Sequence, residues 1–151
     1  MIDCFDGSYA FLSNFYESPF TWKSMKYPTV EHAFQAAKTM NPMESMKIIR
    51  AETPGKAKRL GRKVSLRPDW EEVKERIMYE CVYAKFHSSE GLMLALLATG
   101  DEELVEGTTW CDNEWGNCSC PRCQSIEGKN KLGKILMRVR EEIREELKIE
   151  V

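Results

Sequence analysis

The chain opens with short aromatic runs broken by small polar residues and then changes to helical spacing. Residues 1–28 mix Tyr9, Phe11, Phe15, Tyr16, Phe20, Trp22 and Tyr27 with Gly, Ser, Asn and Pro. That pattern predicts short strands near 9–16 and 19–27, joined by a turn at Glu17-Ser18. Thr29 is a good N-cap for a helix that stops before Asn41-Pro42. Asn41 caps the next helix, with Pro42 in its first position, to about Ala51. Thr53-Pro54 opens another, closed by Gly61. After extended residues 63–66, Pro68-Asp69 begins a long helix reaching about Phe86, with Val73, Ile77, Cys81 and Ala84 as its buried stripe. Residues 89–99 form a short apolar helix closed by Gly100, and Leu104-Val105 a brief strand. Residues 107–130 show no periodicity, and an irregular stretch of that length marks function or a metal staple. The last helix, Lys131 to about Ile149, sets Leu132, Ile135, Leu136, Val139, Ile143 and Leu147 along one face. The elements add up to a helix-rich α+β fold.

The length of 151 residues predicts one domain, 1–151, large enough to bury a core without disulfides. With 42% hydrophobic and 30% charged residues the chain reads as a soluble globular protein. Lys plus Arg number 22 against 24 Asp plus Glu, a net charge of −2, which excludes the basic coat of a general nucleic-acid binder but not a local basic pocket. The longest apolar run, residues 92–98, is far short of a membrane span, and residues 1–6 carry no basic or apolar leader. The expected location is the cytoplasm, with no membrane partner.

The segment Glu31-His32-Ala33-Phe34-Gln35-Ala36-Ala37-Lys38 carries the most chemistry. Glu31, Gln35 and Lys38 follow the spacing i, i+4, i+7, which stacks a carboxylate, an amide and an amine on one helical face. Such a strip is either a polar site or a solvated surface, and spacing alone leaves both open.

Other motifs accompany it in order. They are Phe11-Leu12-Ser13-Asn14-Phe15, Pro54 to Arg62, Leu66-Arg67-Pro68-Asp69-Trp70, Lys85-Phe86, Thr99-Gly100-Asp101, Asp112 to Gly116, and Gly128 to Gly133. Taken together over residues 5–140, they resemble the YbiA-like or NADAR (NAD- and ADP-ribose-associated) family of N-glycosidases. The resemblance implies a hydrolase that breaks a ribosyl C–N bond. It implies as substrate either ADP-ribosylated guanine, alone or within nucleic acid, or a riboflavin-pathway ribosylamino-pyrimidine phosphate.

Breaking such a bond develops positive charge at the anomeric carbon and negative charge on the departing base, so a carboxylate acting as acid and base is needed. Glu31 is the candidate for that work. Lys38 matches the lysine of the family motif and is the candidate Schiff-base nucleophile, a role that requires a lowered pKa. Gln35 would position a sugar hydroxyl or base edge. In the basic stretch Lys56 to Lys63, a helix start favours phosphate, and Arg62, with Lys58 behind it, is the candidate contact. Phe15 and Trp70 are candidates for stacking on a base, although either also suits a core. Asp112, Trp115 and Asn130 match the family's later motif, with Asp112 suited to ribose hydroxyls. His32 and His87 receive no role.

Four of the six cysteines, Cys111, Cys118, Cys120 and Cys123, lie within thirteen residues, a departure from the family pattern. Four thiolates suit a tetrahedral structural zinc, while reduced free thiols are the other reading. No cofactor is expected for catalysis itself. The competing functional class is a non-catalytic nucleotide-binding or zinc-containing interaction module.

Overall fold

The computed structural model describes the backbone of residues 1–150 and the side chains of residues 1–148. The chain falls into two compact units, one of Asn14–Ser89 and one made of Met1–Ser13 with the chain from Glu90 onward. The observed architecture is the helix-rich α+β class expected.

The 14–89 unit opens with an antiparallel hairpin of β1 (Phe20–Trp22) and β2 (Met25–Tyr27), in register Phe20 with Tyr27. Its turn is Lys23-Ser24, both in the left-handed region at φ 50° and 66°, as a tight two-residue hairpin turn requires. The expected pairing of 9–16 with 19–27 is therefore corrected. The whole hairpin lies inside the second run, Glu17-Ser18 is not its turn, and Gly7–Leu12 is a 3-10 helix.

Four helices follow. In α1 (Val30–Ala36) the Thr29 hydroxyl accepts the His32 N–H at 3.1 Å. In α2 (Pro42–Ile49) Asn41 Oδ1 accepts from Met43 and Glu44. In α3 (Pro54–Gly61) the Thr53 hydroxyl accepts from Lys56. All three caps are those read from the sequence, because capping is local chemistry. The long helix α4 (Trp70–His87) starts at Asp69, whose carboxylate binds Arg67 instead of capping. Helix α1 packs against α2, α3 and α4, and Val30, Ala33, Phe34, Ile48, Ala57, Ile77, Cys81 and Phe86 form the core. On α4 the expected stripe holds at Val73, Ile77 and Cys81, but Ala84 is half-buried and Lys85 takes the inward position.

In the other unit Ile2 pairs in parallel with Leu104, so the Leu104-Val105 strand reduces to a single bridge. Helix α5 (Glu90–Ala98) packs on α6 (Lys131–Glu150). Between them lies a two-residue parallel pair, β3 (Gly107–Thr108) with β4 (Asn117–Cys118), and a 3-10 turn at Pro121–Cys123. Leu132, Leu136, Val139 and Ile143 are buried as expected, whereas Ile135 and Leu147 are half-buried. Arg140 is also buried, donating to Thr99 Oγ1 and the Glu102 carbonyl at 2.9 Å each. Among the described residues no helix is long and apolar enough to cross a membrane.

Gly133 lets α6 lie against the Leu104 backbone, since a Cβ there would sit 2.0 Å from the Leu104 carbonyl oxygen. Gly133→Ala is therefore expected to destabilise the protein by about 1–3 kcal/mol. At Gly55 a Cβ meets nothing nearer than Thr53 Oγ1 at 3.9 Å. Gly55→Ala should leave stability unchanged or raise it by up to about 1 kcal/mol. Urea unfolding of the two variants checks the contrast.

Candidate active site

Every residue of α1 is buried, including Glu31 at 7% exposure, Gln35 at 4% and His32 at 1%. Polar side chains in such a place need partners. His32 is bonded at both ring nitrogens, to Thr29 Oγ1 at 2.8 Å and to the Ala51 carbonyl at 3.0 Å. A carbonyl only accepts, so Nε2 carries the proton and His32 is a packing residue. Gln35 Nε2 donates to Glu31 Oε1 at 2.9 Å, the i, i+4 pair expected from the spacing. Its Oε1 is buried without a hydrogen-bond partner among the described residues. It lies where α3 comes closest, and a Cβ on Gly61 would fall 1.9 Å from it. Gln35 thus holds Glu31 from inside the fold rather than presenting its amide outward.

Lys38 lies beyond the end of α1, which corrects the three-residue helical strip. Its N–H reaches only back to the Gln35 carbonyl, at 3.2 Å, and Thr39 then pairs with Leu66 in an isolated bridge. The Arg67 N–H donates to the Lys38 carbonyl at 2.8 Å, so a distant segment stops the helix early. Lys38 is half-buried, with its Nζ 5.9 Å from the centre of the Trp70 ring. Trp70 is itself buried against Phe34, ring centres 4.9 Å apart. Burial pushes the Lys38 amine below the ordinary lysine pKa of 10.5; the Glu31 carboxylate opposes this, and the positive charges of Arg62, Lys58 and Lys74 reinforce it.

These interactions link Glu31, Gln35, Lys38, Arg62 and Trp70 within the 14–89 unit. Phe15 belongs to the same unit, 44% exposed, and follows Asn14, whose carbonyl accepts the Glu31 N–H at 3.1 Å. The start of α3 carries an occupied cap and Lys56 paired with Glu52 at 2.8 Å. The charge that reaches Lys38 comes from Lys58 and from Arg62, at the helix's other end.

Asp112, Trp115 and Asn130 belong to the other unit. Asp112 Oδ1 accepts the Glu114 and Trp115 N–H groups at 3.1 and 2.9 Å, closing a turn. Lys131 Nζ stands 5.9 Å from the Trp115 ring centre and 3.0 Å from Glu114 Oε1. Asn130 is buried at φ 49°, accepting from the Glu106 N–H at 3.0 Å and donating to the Leu104 carbonyl at 2.9 Å. Its amide ties residues 104–106 to the start of α6.

Three neighbours received no site role from the sequence, although Arg67 and Lys85 lie within its motifs. Arg67 grips Asp69 with two bonds, at 2.6 and 3.0 Å, while its backbone anchors Lys38. Lys74 and Lys85 are buried cations of α4, Lys85 at 1% exposure with its amine 5.6 Å from the Tyr16 ring centre. The available signal was their position beside the apolar stripe at 73, 77, 81 and 84, where a lysine is out of place.

A model of the NADAR domain family matches residues 4–144. The chain is 40% identical over 137 residues to the N-glycosidase YbiA of Shigella flexneri, spanning 89% of this chain and 82% of that protein. It is 37% identical over 142 residues to a riboflavin biosynthesis protein of Vibrio vulnificus, spanning 93% of this chain and 37% of that longer protein. The NMR structure of the Escherichia coli protein YbiA matches with a TM-score of 0.83 at 37% identity, over 97% of this chain and 89% of that one.

The lowered Lys38 pKa has a stability consequence of definite sign. Between that lowered value and the ordinary 10.5, the unfolded chain holds the proton that the folded chain has lost, so stability rises with pH. Wild type is expected to gain stability relative to Lys38→Met across that window and nowhere below it. Urea midpoints taken at stepped pH measure the difference, and a difference that stays flat contradicts the assignment.

Proposed function

This chain belongs to the NADAR domain family, and on that footing we propose that it hydrolyses the ribosyl C–N bond of a riboflavin-pathway ribosylamino-pyrimidine phosphate. It is a hydrolase of N-glycosyl bonds, the activity its relatives' names carry. The observation that carries the mechanism is the half-buried Lys38 amine, biased toward its neutral form, with the Glu31 carboxylate close enough to act on its charge.

In the ring-opened substrate the anomeric carbon is an imine carbon bonded to the base nitrogen. The neutral Lys38 amine adds to it and passes one proton to the base nitrogen, Glu31 delivers a second, and the bond to the base breaks as the protonated Schiff base to lysine forms. Water then adds to the same carbon, Glu31 takes up its proton, and the lysine leaves with the sugar released. Gln35 is a positioning residue that holds the Glu31 carboxylate. Arg62, with Lys58, supplies positive charge for the phosphate. The exposed Phe15 ring offers a stacking face for the base, and Trp70 forms the wall beside Lys38. For Asp112, Trp115 and Asn130 the substrate-binding role is carried over from the family resemblance, with Asn130 acting through the backbone it holds.

The pyrimidine substrate is favoured over ADP-ribosylated guanine because a similar chain forms part of a protein named for riboflavin biosynthesis, and because a net charge of −2 gives no coat for nucleic acid. All six cysteines are free thiols, which supports a reducing compartment, the cytoplasm. The four-cysteine cluster is assigned to structure, since four protein thiolates leave a tetrahedral ion no open position for water.

Product analysis by liquid chromatography and mass spectrometry tests the reading. Wild type is expected to release ribose 5-phosphate from the ribosylamino-pyrimidine phosphate, and Glu31→Gln to lower kcat by about 10²–10⁴-fold. Borohydride added during turnover should leave a sugar adduct on Lys38 that Lys38→Ala lacks. Arg62→Ala should raise KM by a larger factor than it lowers kcat, the smaller loss coming from its charge beside Lys38. Release of ADP-ribose from modified guanine alone would replace the substrate. Binding without any release would move the protein to the class of nucleotide-binding modules, and full activity in both Glu31→Gln and Lys38→Ala would remove their roles.

A further inference from the structure

The irregular segment between β3 and α6 gathers Cys111, Cys118, Cys120 and Cys123 so that their sulfur atoms all lie within 4.8 Å of one another. Cys111 and Cys120 are 3.5 Å apart. Four thiolates around one zinc ion at the usual bond length of about 2.3 Å stand about 3.8 Å from each other, so the cluster is already near tetrahedral size. We propose that these four cysteines hold one zinc ion in a closed tetrahedral site, and that the ion fixes the loop on which α6 begins.

Two alternatives fit less well. Disulfide pairing is absent, since every cysteine is a free thiol. Packing as small hydrophobes would bury all four, yet Cys111 is exposed and Cys120 half-exposed. Two of the sulfurs instead accept hydrogen bonds from nearby N–H groups. Cys118 Sγ accepts the Cys111 and Cys120 N–H groups at 3.2 and 3.4 Å, and Cys123 Sγ accepts from Asn113 Nδ2 at 3.2 Å. Donors aimed at sulfur from outside are the usual supporting contacts of a metal–thiolate site. Cys111 also sits in the left-handed region at φ 63°, a conformation that costs about 1–2 kcal/mol for a residue with a Cβ and is retained where something else over-determines it. A set of soft thiolate ligands favours zinc over magnesium or calcium.

What the ion would hold is visible in the hydrogen bonds. Cys111 and Cys118 bracket residues 112–117, and Asn113 Oδ1 accepts the Cys118 N–H at 2.9 Å. The carbonyls of Asn113, Glu114, Trp115 and Gly116 accept the N–H groups of Lys129, Lys131, Leu132 and Asn130 at 2.8–3.2 Å. A helix leaves its first N–H groups without internal partners. For α6 this loop supplies them, so a metal that fixes the loop also fixes the start of the helix.

The test begins with wild-type protein purified in reducing buffer without chelator, its metal measured by mass spectrometry. One zinc per chain is expected, retained in Cys4→Ser and lost in Cys118→Ser/Cys123→Ser. Cobalt(II) exchanged into wild type should give the intense visible absorption and sulfur charge-transfer bands of four-thiolate tetrahedral coordination, a readout that needs no variant to fold. Removing the metal should speed amide exchange at residues 129–132 by about tenfold or more. Wild type without metal and with four titratable cluster thiols overturns the site, as does bound iron or a cobalt spectrum lacking sulfur bands. Unchanged exchange at 129–132 overturns the link to α6.

Discussion

The 14–89 unit depends on burying α1 completely. Seven residues in a row, Val30–Ala36, are buried, and three of them are polar. An unpaired polar group in such a place costs on the order of 1–3 kcal/mol, so the surroundings of α1 are set by what Glu31, His32 and Gln35 require. His32 requires a hydroxyl on one side and a carbonyl on the other, which ties Thr29 to Ala51. Gln35 requires Glu31, and its bulk requires that the facing residue of α3 be Gly61. Lys38 inherits the consequence. It leaves the helix with its backbone held by Arg67, so its amine stays half-buried, where carrying a charge is unfavourable.

Helix starts were legible in the sequence because capping is decided within three or four residues. Thr29, Asn41-Pro42 and Thr53-Pro54 all sit where their side chains and rings act. The N-terminal hairpin was not legible. Its turn, Lys23-Ser24, adopts left-handed backbone without the Gly or Asn that signals such a turn, and aromatic residues on both sides of Glu17 fit strands equally well. The end of α1 was illegible for a different reason. Nothing in Ala37-Lys38-Thr39 stops a helix, and the stop comes from Leu66 and Arg67, almost thirty residues on.

The candidate site divides along the same line. The Glu31–Gln35 bond follows from spacing on one helix, and the geometry agrees. The environment of Lys38 does not follow from spacing, because it is assembled from Arg62, Lys58, Lys74 and Trp70 on two other helices and their ends. Four cysteines close in sequence were recognisable as a cluster. Their convergence, with Asn113 and two backbone N–H groups directed at sulfur, is tertiary information.

The electrostatics around Lys38 bear on the order of events in the proposed reaction. Burial is the largest influence on the amine, and the neighbouring cations come after it and after Glu31. If neighbouring charge were the main cause, a phosphate bound by Arg62 and Lys58 would cancel it and move the amine's pKa back toward its ordinary value. Because burial dominates, a substrate that covers Lys38 excludes more water and offsets that cancellation. Glu31 pulls the other way, stabilising the ammonium while it remains a carboxylate. Once Glu31 holds the proton destined for the departing base, that opposition is gone and the amine is more strongly biased toward neutrality. Proton on the carboxylate and lone pair on the amine is therefore the arrangement that the proposed chemistry requires, and the burial of Lys38 acts in its direction.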